Sequence, residues 1–377
     1  MGAMGVAMAE MSRTKRLLGY LEQDPENFQL IQDAAEAALA EGEDETAAAL
    51  FKRCEALGAM PAEILNLRGL AALKGGRLDE AVSAFEALRG AGEDAPAVRL
   101  NLAWALTMNG DYEAALPLVD EEVVGLGPSG AGLKVRLLHH LDRLEEAMDV
   151  GADLAERYPD DQVLMGTLAN AALDADRADL ARAYAERAGT HHDGLTTMGL
   201  LLLDEDRVSE SAALFDRILA ADAANPRALL GKGLERLAVG NAADAAGWLD
   251  RAAERFGDHL GTWIAAGWTY YVQGDLRSAR ERFERALALD DTFAETQGGL
   301  AVLDIAEGKL EEGRRRTEVA LRLDRNSFGA ALATIMLLEH DGKPEVAERV
   351  REAALNVPVG VGGKTLAQAL AARSRRG

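Results

Sequence analysis

An all-α solenoid of antiparallel helix hairpins is the fold class this sequence predicts, and three observations carry it. Turn residues recur at a near-constant spacing. Gly42, Gly76 and Gly110 are 34 residues apart, Asp142 follows after 32, Asp176 after 34 and Asp206 after 30, and Gly240, Gly274, Gly308 and Gly342 then return at 34. A small residue keeps phase with each turn: Ala47, Ala81, Ala115, Ala147, Ala181, Ser211, Ala245, Ala279, Gly313 and Ala347. Between the turns, apolar residues fall at i, i+3, i+4 and i+7, which places one apolar stripe on each helix. A single hairpin cannot hide both of its stripes from water, so ten in phase imply stacking on neighbours.

In chain order, Met1 to Gly5 read as a remnant of cloning and are set aside. Residues 12–22 form a short amphipathic helix with Ser12 as N-cap and Leu17, Leu18 and Leu21 on one face, ended by Asp24-Pro25. It is placed to cap the first hairpin, making residues 1–27 a terminal region. Ten hairpins occupy residues 28–359, beginning near Phe28, Ala62, Pro96, Pro128, Gln162, His192, Pro226, Leu260, Ala294 and Phe328. The Gly or Asp at each turn stands where a left-handed conformation is required. The shortened periods of 32 and 30 predict an irregularity in stacking between Val124 and Asp193. Residues 360–377 are read as a loop, a capping helix over 364–372 with Leu366 and Leu370 on one side, and a basic end at Arg373, Arg375 and Arg376.

The clearest hairpin spans residues 260–293. Trp263, Ala266, Gly267 and Tyr270 precede the Gly274-Asp275 turn, and Ala279, Phe283 and Ala286 follow it. These residues resemble the tetratricopeptide repeat, with its Trp-x2-Leu-Gly-x2-Tyr, Ala-x3-Phe and Pro pattern at a 34-residue period. The chain departs from that pattern at Ala266, where the family prefers Leu, and at Asp291, where it prefers Pro. The resemblance implies a right-handed superhelix in which the first helix of each repeat lines a concave groove that binds protein or peptide.

Composition narrows the function. The 377 residues carry 41 basic and 63 acidic side chains, a net charge of −22, with a pI near 4.7. Duplex nucleic acid and anionic membranes require a basic footprint, so neither is expected as the main partner. A basic protein or an amphipathic helix suits the charge better, although an acidic surface also serves solubility alone. The single cysteine, Cys54, excludes an internal disulfide and falls at a core-facing helix position. No apolar run reaches the length of a membrane helix, and the chain is read as cytoplasmic, or periplasmic if a leader was removed.

No enzyme chemistry is announced, and no cofactor or metal is expected. Gly360-Val361-Gly362-Gly363-Lys364-Thr365 mimics the end of a phosphate-binding loop, but Pro358 stands where the first glycine belongs and no strand precedes it. His139-His140 and His191-His192 are adjacent pairs rather than i, i+4 pairs, although a surface metal at His191, His192 and Asp193 is conceivable. Residues that could line the implied groove fall into two sets. Asn101, Trp104, Arg136, His139, His140 and Asn170 are polar and aromatic, suited to reading peptide backbone and a carboxylate, or else merely a solvated face. Leu200, Leu203, Leu234, Leu237, Trp268, Tyr271, Val302 and Ile305 form an apolar stripe, suited to an amphipathic helix or else buried between neighbouring first helices. Trp268 and Tyr271 are the expected anchors. The lysine and asparagine clamp that some relatives use for acidic C-termini is absent from Gln29, Gln32, Glu36, Glu63 and Asn66. A non-enzymatic scaffold or adaptor is thus the leading expectation, with an assembly or secretion chaperone and a self-associating structural component as alternatives.

Overall fold

The computed structural model describes residues 12–58 and 61–356. Among them every regular element is helical. The loop, capping helix and basic end expected after residue 356, with the phosphate-loop mimic, lie outside the described residues. The chain divides into two compact units, Met1–Pro159 and Asp160–Gly377.

The first unit starts with α1 (Arg13–Leu21). It continues with α2 (Phe28–Ala40), α3 (Asp44–Leu57), α4 (Ala62–Lys74), α5 (Leu78–Gly90) and α6 (Pro96–Asn109). Then come α7 (Tyr112–Ala115), a 3-10 turn over Leu116–Leu118, α8 (Glu121–Val124), α9 (Pro128–His140) and α10 (Leu144–Arg157). Ser12 caps α1 by accepting from the Lys15 amide at 3.3 Å. Leu21, Leu17 and Leu18 then pack against the Ile31, Leu50 and Phe51 core, so α1 covers the first hairpin's apolar stripe. Cys54 belongs to the same core and is fully buried, and desolvation pushes its thiol pKa up.

The second unit holds α11 (Gln162–Asp174), α12 (Ala178–Ala188), α13 (His192–Asp204), α14 (Val208–Ala221), α15 (Pro226–Ala238) and α16 (Ala242–Phe256). It ends with α17 (Leu260–Val272), α18 (Leu276–Leu289), α19 (Ala294–Ala306), α20 (Leu310–Leu323), α21 (Phe328–His340) and α22 (Pro344–Leu355).

The first helix of each hairpin begins at the residue the spacing predicts, and every predicted turn residue has φ between 55° and 86°. The turn after α17 shows why. Gly274 N–H donates to Tyr271 O at 2.9 Å and Asp275 N–H to Tyr270 O at 3.1 Å, a Schellman closure that only a left-handed residue permits. The phased small residues are buried, each seating its second helix against the first. In the second unit a phenylalanine from the second helix fills the space that glycine leaves on two successive first helices. A Cβ at Gly267 would lie 3.0 Å from the Phe283 ring and one at Gly299 only 2.4 Å away. Gly199 and Gly231 flank Phe215 in the same manner, at 2.8 and 2.2 Å.

One departure was not anticipated. The second helix of the third hairpin is broken into α7, the 3-10 turn and α8, with Pro117 at the break. Proline lacks an amide hydrogen and clashes with the preceding turn, so a continuous helix cannot pass through it. Asp120 restarts helix α8 by accepting from Val123 N–H at 3.1 Å. This break lies just upstream of the window where irregular stacking was expected, and the boundary between the two units lies inside that window.

Candidate protein-interaction site

In the first unit, α6 and α9 set Trp104 and Arg136 against one another. The Arg136 guanidinium carbon lies 5.8 Å from the centroid of the Trp104 ring, within cation–π range. Its Nε is buried without a hydrogen-bond partner, and no carboxylate pairs with it among the described residues. That is unusual in so acidic a chain. Nearby Arg99 pairs with Asp94, Asp120 and Glu122, and Arg143 with Glu146. Asn101 lies one helical turn before Trp104 and His139 one turn after Arg136, so each shares its neighbour's face, and both are half-buried. His140 stacks on Tyr112 with ring centroids 4.4 Å apart and planes at 3°.

The broken second helix props this face. Lys134 on α9 donates to Val119 O at 3.1 Å, and burial pushes its ammonium pKa down. Tyr158 donates its hydroxyl to Val124 O at 3.1 Å.

The remaining expected site residues lie in the second unit, where packing claims much of their surface. Asn170 is 6% exposed, and its Oδ1 already accepts from Thr197 at 2.8 Å. Val302 is fully buried and Ile305 is 9% exposed, so the apolar stripe is closed to a partner at its end on α19. Burial between neighbouring first helices is what the structure shows there. Leu200 and Leu203 are half-buried beside Phe215, and Leu234 and Leu237 are also half-buried.

Trp268 is the centre of an aromatic cluster. Its ring meets Tyr271, Phe283 and Phe328 edge-on at 5.6, 5.2 and 5.4 Å. Its indole N–H donates to Glu295 at 3.0 Å, and Glu295 also accepts from the Ser327 hydroxyl at 2.7 Å and the Gly329 amide at 3.0 Å. A carboxylate at the start of α21 is favoured by the helix dipole. Thus Glu295 joins three successive first helices, α17, α19 and α21, a role that its spacing in the sequence does not reveal. Tyr271 shares the cluster, and burial pushes its phenol pKa up.

His191, His192 and Asp193 present ligand atoms within 4.8 Å of one another at the start of α13. His191 Nδ1 is already engaged there, accepting from the Asp193 amide at 3.4 Å.

Phased helical hairpins with a buried small residue in each second helix define a helical-repeat protein. A family model for the tetratricopeptide repeat matches residues 66–131 and 196–259. The chain carries tetratricopeptide repeats over those segments. No curated protein sequence matches it. Among solved structures, an IFIT1 monomeric mutant with Gppp-AAAA is similar at 14% identity and a TM-score of 0.56, over 87% of this chain and 90% of that one. The human IFIT1 dimer with PPP-AAAA is similar at 15% identity and 0.53, over 91% and 93%. A tetratricopeptide repeat protein from Parabacteroides merdae ATCC 43184 aligns at 14% identity and 0.42, over 73% and 97%. The likeness to the IFIT1 structures concerns the fold alone. No helix among the described residues is long and apolar enough to cross a membrane.

Proposed function

We propose that the protein is a non-enzymatic scaffold that holds a peptide segment of a partner protein on the first helices of its first unit. The observation that carries this reading is the Trp104–Arg136 pair: an arginine with no acidic partner among the described residues, held over an aromatic face, in a chain of net charge −22. A guanidinium so placed accepts a carboxylate in two-point fashion, while the indole offers apolar area to an adjacent side chain. Asn101 and His139 on the flanking turns can pair backbone groups of an extended chain. The IFIT1 structures hold Gppp-AAAA and PPP-AAAA, but a shared fold at 14 or 15% identity transfers no ligand. The acidic charge opposes a phosphate backbone.

Selection from a random peptide library tests the reading. Wild-type protein should enrich peptides carrying a carboxylate next to an apolar residue. Arg136→Gln and Trp104→Ala should each weaken them about 10-fold or more, the scale of an interface anchor. Peptides that bind both variants as tightly as the wild type, with helicity unchanged, would remove this face from consideration.

A further inference from the structure

The last described hairpin leaves a groove between α21 and α22 of about 220 Å³, lined mainly by Phe328, Leu332, Met336 and Leu355, with the Glu339–Arg351 ion pair also in its wall. Phe328 is 44% exposed at its rim. One repeat earlier, the residue equivalent to Met336 is Val302, fully buried because α21 lies over it, whereas Met336 is half-buried. The groove is therefore the seat that a further first helix would fill. We infer that residues 364–372 of this chain dock there as a helix, in the register of an eleventh first helix.

The argument is one of phase. Helix α21 rests on α19 through one arc of its surface. Gly329 meets the Gly298 backbone, where a Cβ would come within 2.8 Å, and Leu332, Ala333, Met336 and Leu337 pack against Ala301, Val302 and Ile305. Thirty-four residues further on stand Gly363, Leu366, Ala367, Leu370 and Ala371, apolar or glycine at every position of that arc. Gln368, a period after Thr334, falls on the opposite side. Lys364 is the exception, standing a period after buried Ala330, but its aliphatic stem can cover apolar surface while the ammonium reaches water.

Connection and charge agree. Leu355, which lines the groove, is followed by Asn356, and the few residues from there to Gly362 span roughly 20 Å when extended. Arg373, Arg375 and Arg376 follow the segment, and α22 presents Glu345, Glu348 and Glu352 exposed.

Paired cysteines in the full chain test the seat, with buried Cys54 left in place. Under mild oxidation Met336→Cys with Leu370→Cys should give an intrachain disulfide, and Met336→Cys with Gln368→Cys should not. Linkage only between chains would assign the groove to a second copy. Equal linkage of both pairs would show that the segment is not seated. Hydrogen exchange reads the same question without cysteines. Amides of 364–372 should exchange at least tenfold more slowly than an unstructured peptide, and that protection should vanish in both Leu366→Asp/Leu370→Asp and Met336→Asp. Unprotected amides in the wild type, or protection that survives Met336→Asp, would overturn the docking.

Discussion

Trp104 and Trp268 occupy the same position in their repeats, the ninth residue of a first helix, yet the structure treats them differently. Trp268 is enclosed by Tyr271, Phe283 and Phe328, and its indole N–H is satisfied by Glu295. Trp104 has Arg136 over its face, and that arginine has no acidic partner among the described residues. The repeat position brings an aromatic ring to the junction between first helices. Both rings are half-buried, and what each one meets depends on what the following repeats supply. After Trp268 they supply Glu295 and Phe328, and after Trp104 they supply an arginine beside a proline-broken helix.

The comparison can be broken at several points. Trp268→Ala should have the largest effect, about 3 kcal/mol of stability, since it removes three ring contacts and one hydrogen bond to a part-buried carboxylate. Urea denaturation of the two tryptophan variants side by side measures this, and a Trp104→Ala loss as large as that of Trp268→Ala would erase the distinction drawn between them. Gly299→Ala should follow at about 2 kcal/mol, because its methyl would lie 2.4 Å from the Phe283 ring, which is held in place by close packing.

The smallest effect is one of pH. Asp275 caps α18 by accepting from the Ser278 amide at 3.0 Å, and that backbone hydrogen bond, with one from the Ser278 side chain, holds its carboxyl below the usual range. A lowered carboxyl pKa contributes stability above the unfolded value near 4, which is lost as pH falls through the folded value. Asp275→Asn keeps a cap but cannot titrate, so the wild type should lose more stability between about pH 4 and 2 than the variant does. Parallel pH profiles of the two urea midpoints would show that the cap does not depend on this charge.

Much of the fold was legible in the sequence. The starts of the first helices, the left-handed turns and the buried small residues all follow from local rules. A 3.6-residue period decides which face is apolar, and only Gly, or Asp at some cost, adopts positive φ. Pro117 was also present to be read, but the regular phase of Ala115 masked the break. The candidate site was less legible. Leu234, Tyr271 and Val302 all lie at or near groove positions by register, yet Val302 is fully buried while the other two are half-buried.

The sequence by itself determined the repeat, its period and the amphipathic face of every helix, because these depend on residues within a turn or two of one another. Only the tertiary structure decided that Asn170 is engaged by Thr197, that Glu295 joins three helices and that Arg136 lies over the Trp104 ring. Those outcomes depend on side chains about 27 to 34 positions apart meeting across stacked helices, and local periodicity carries no information about which of them will meet.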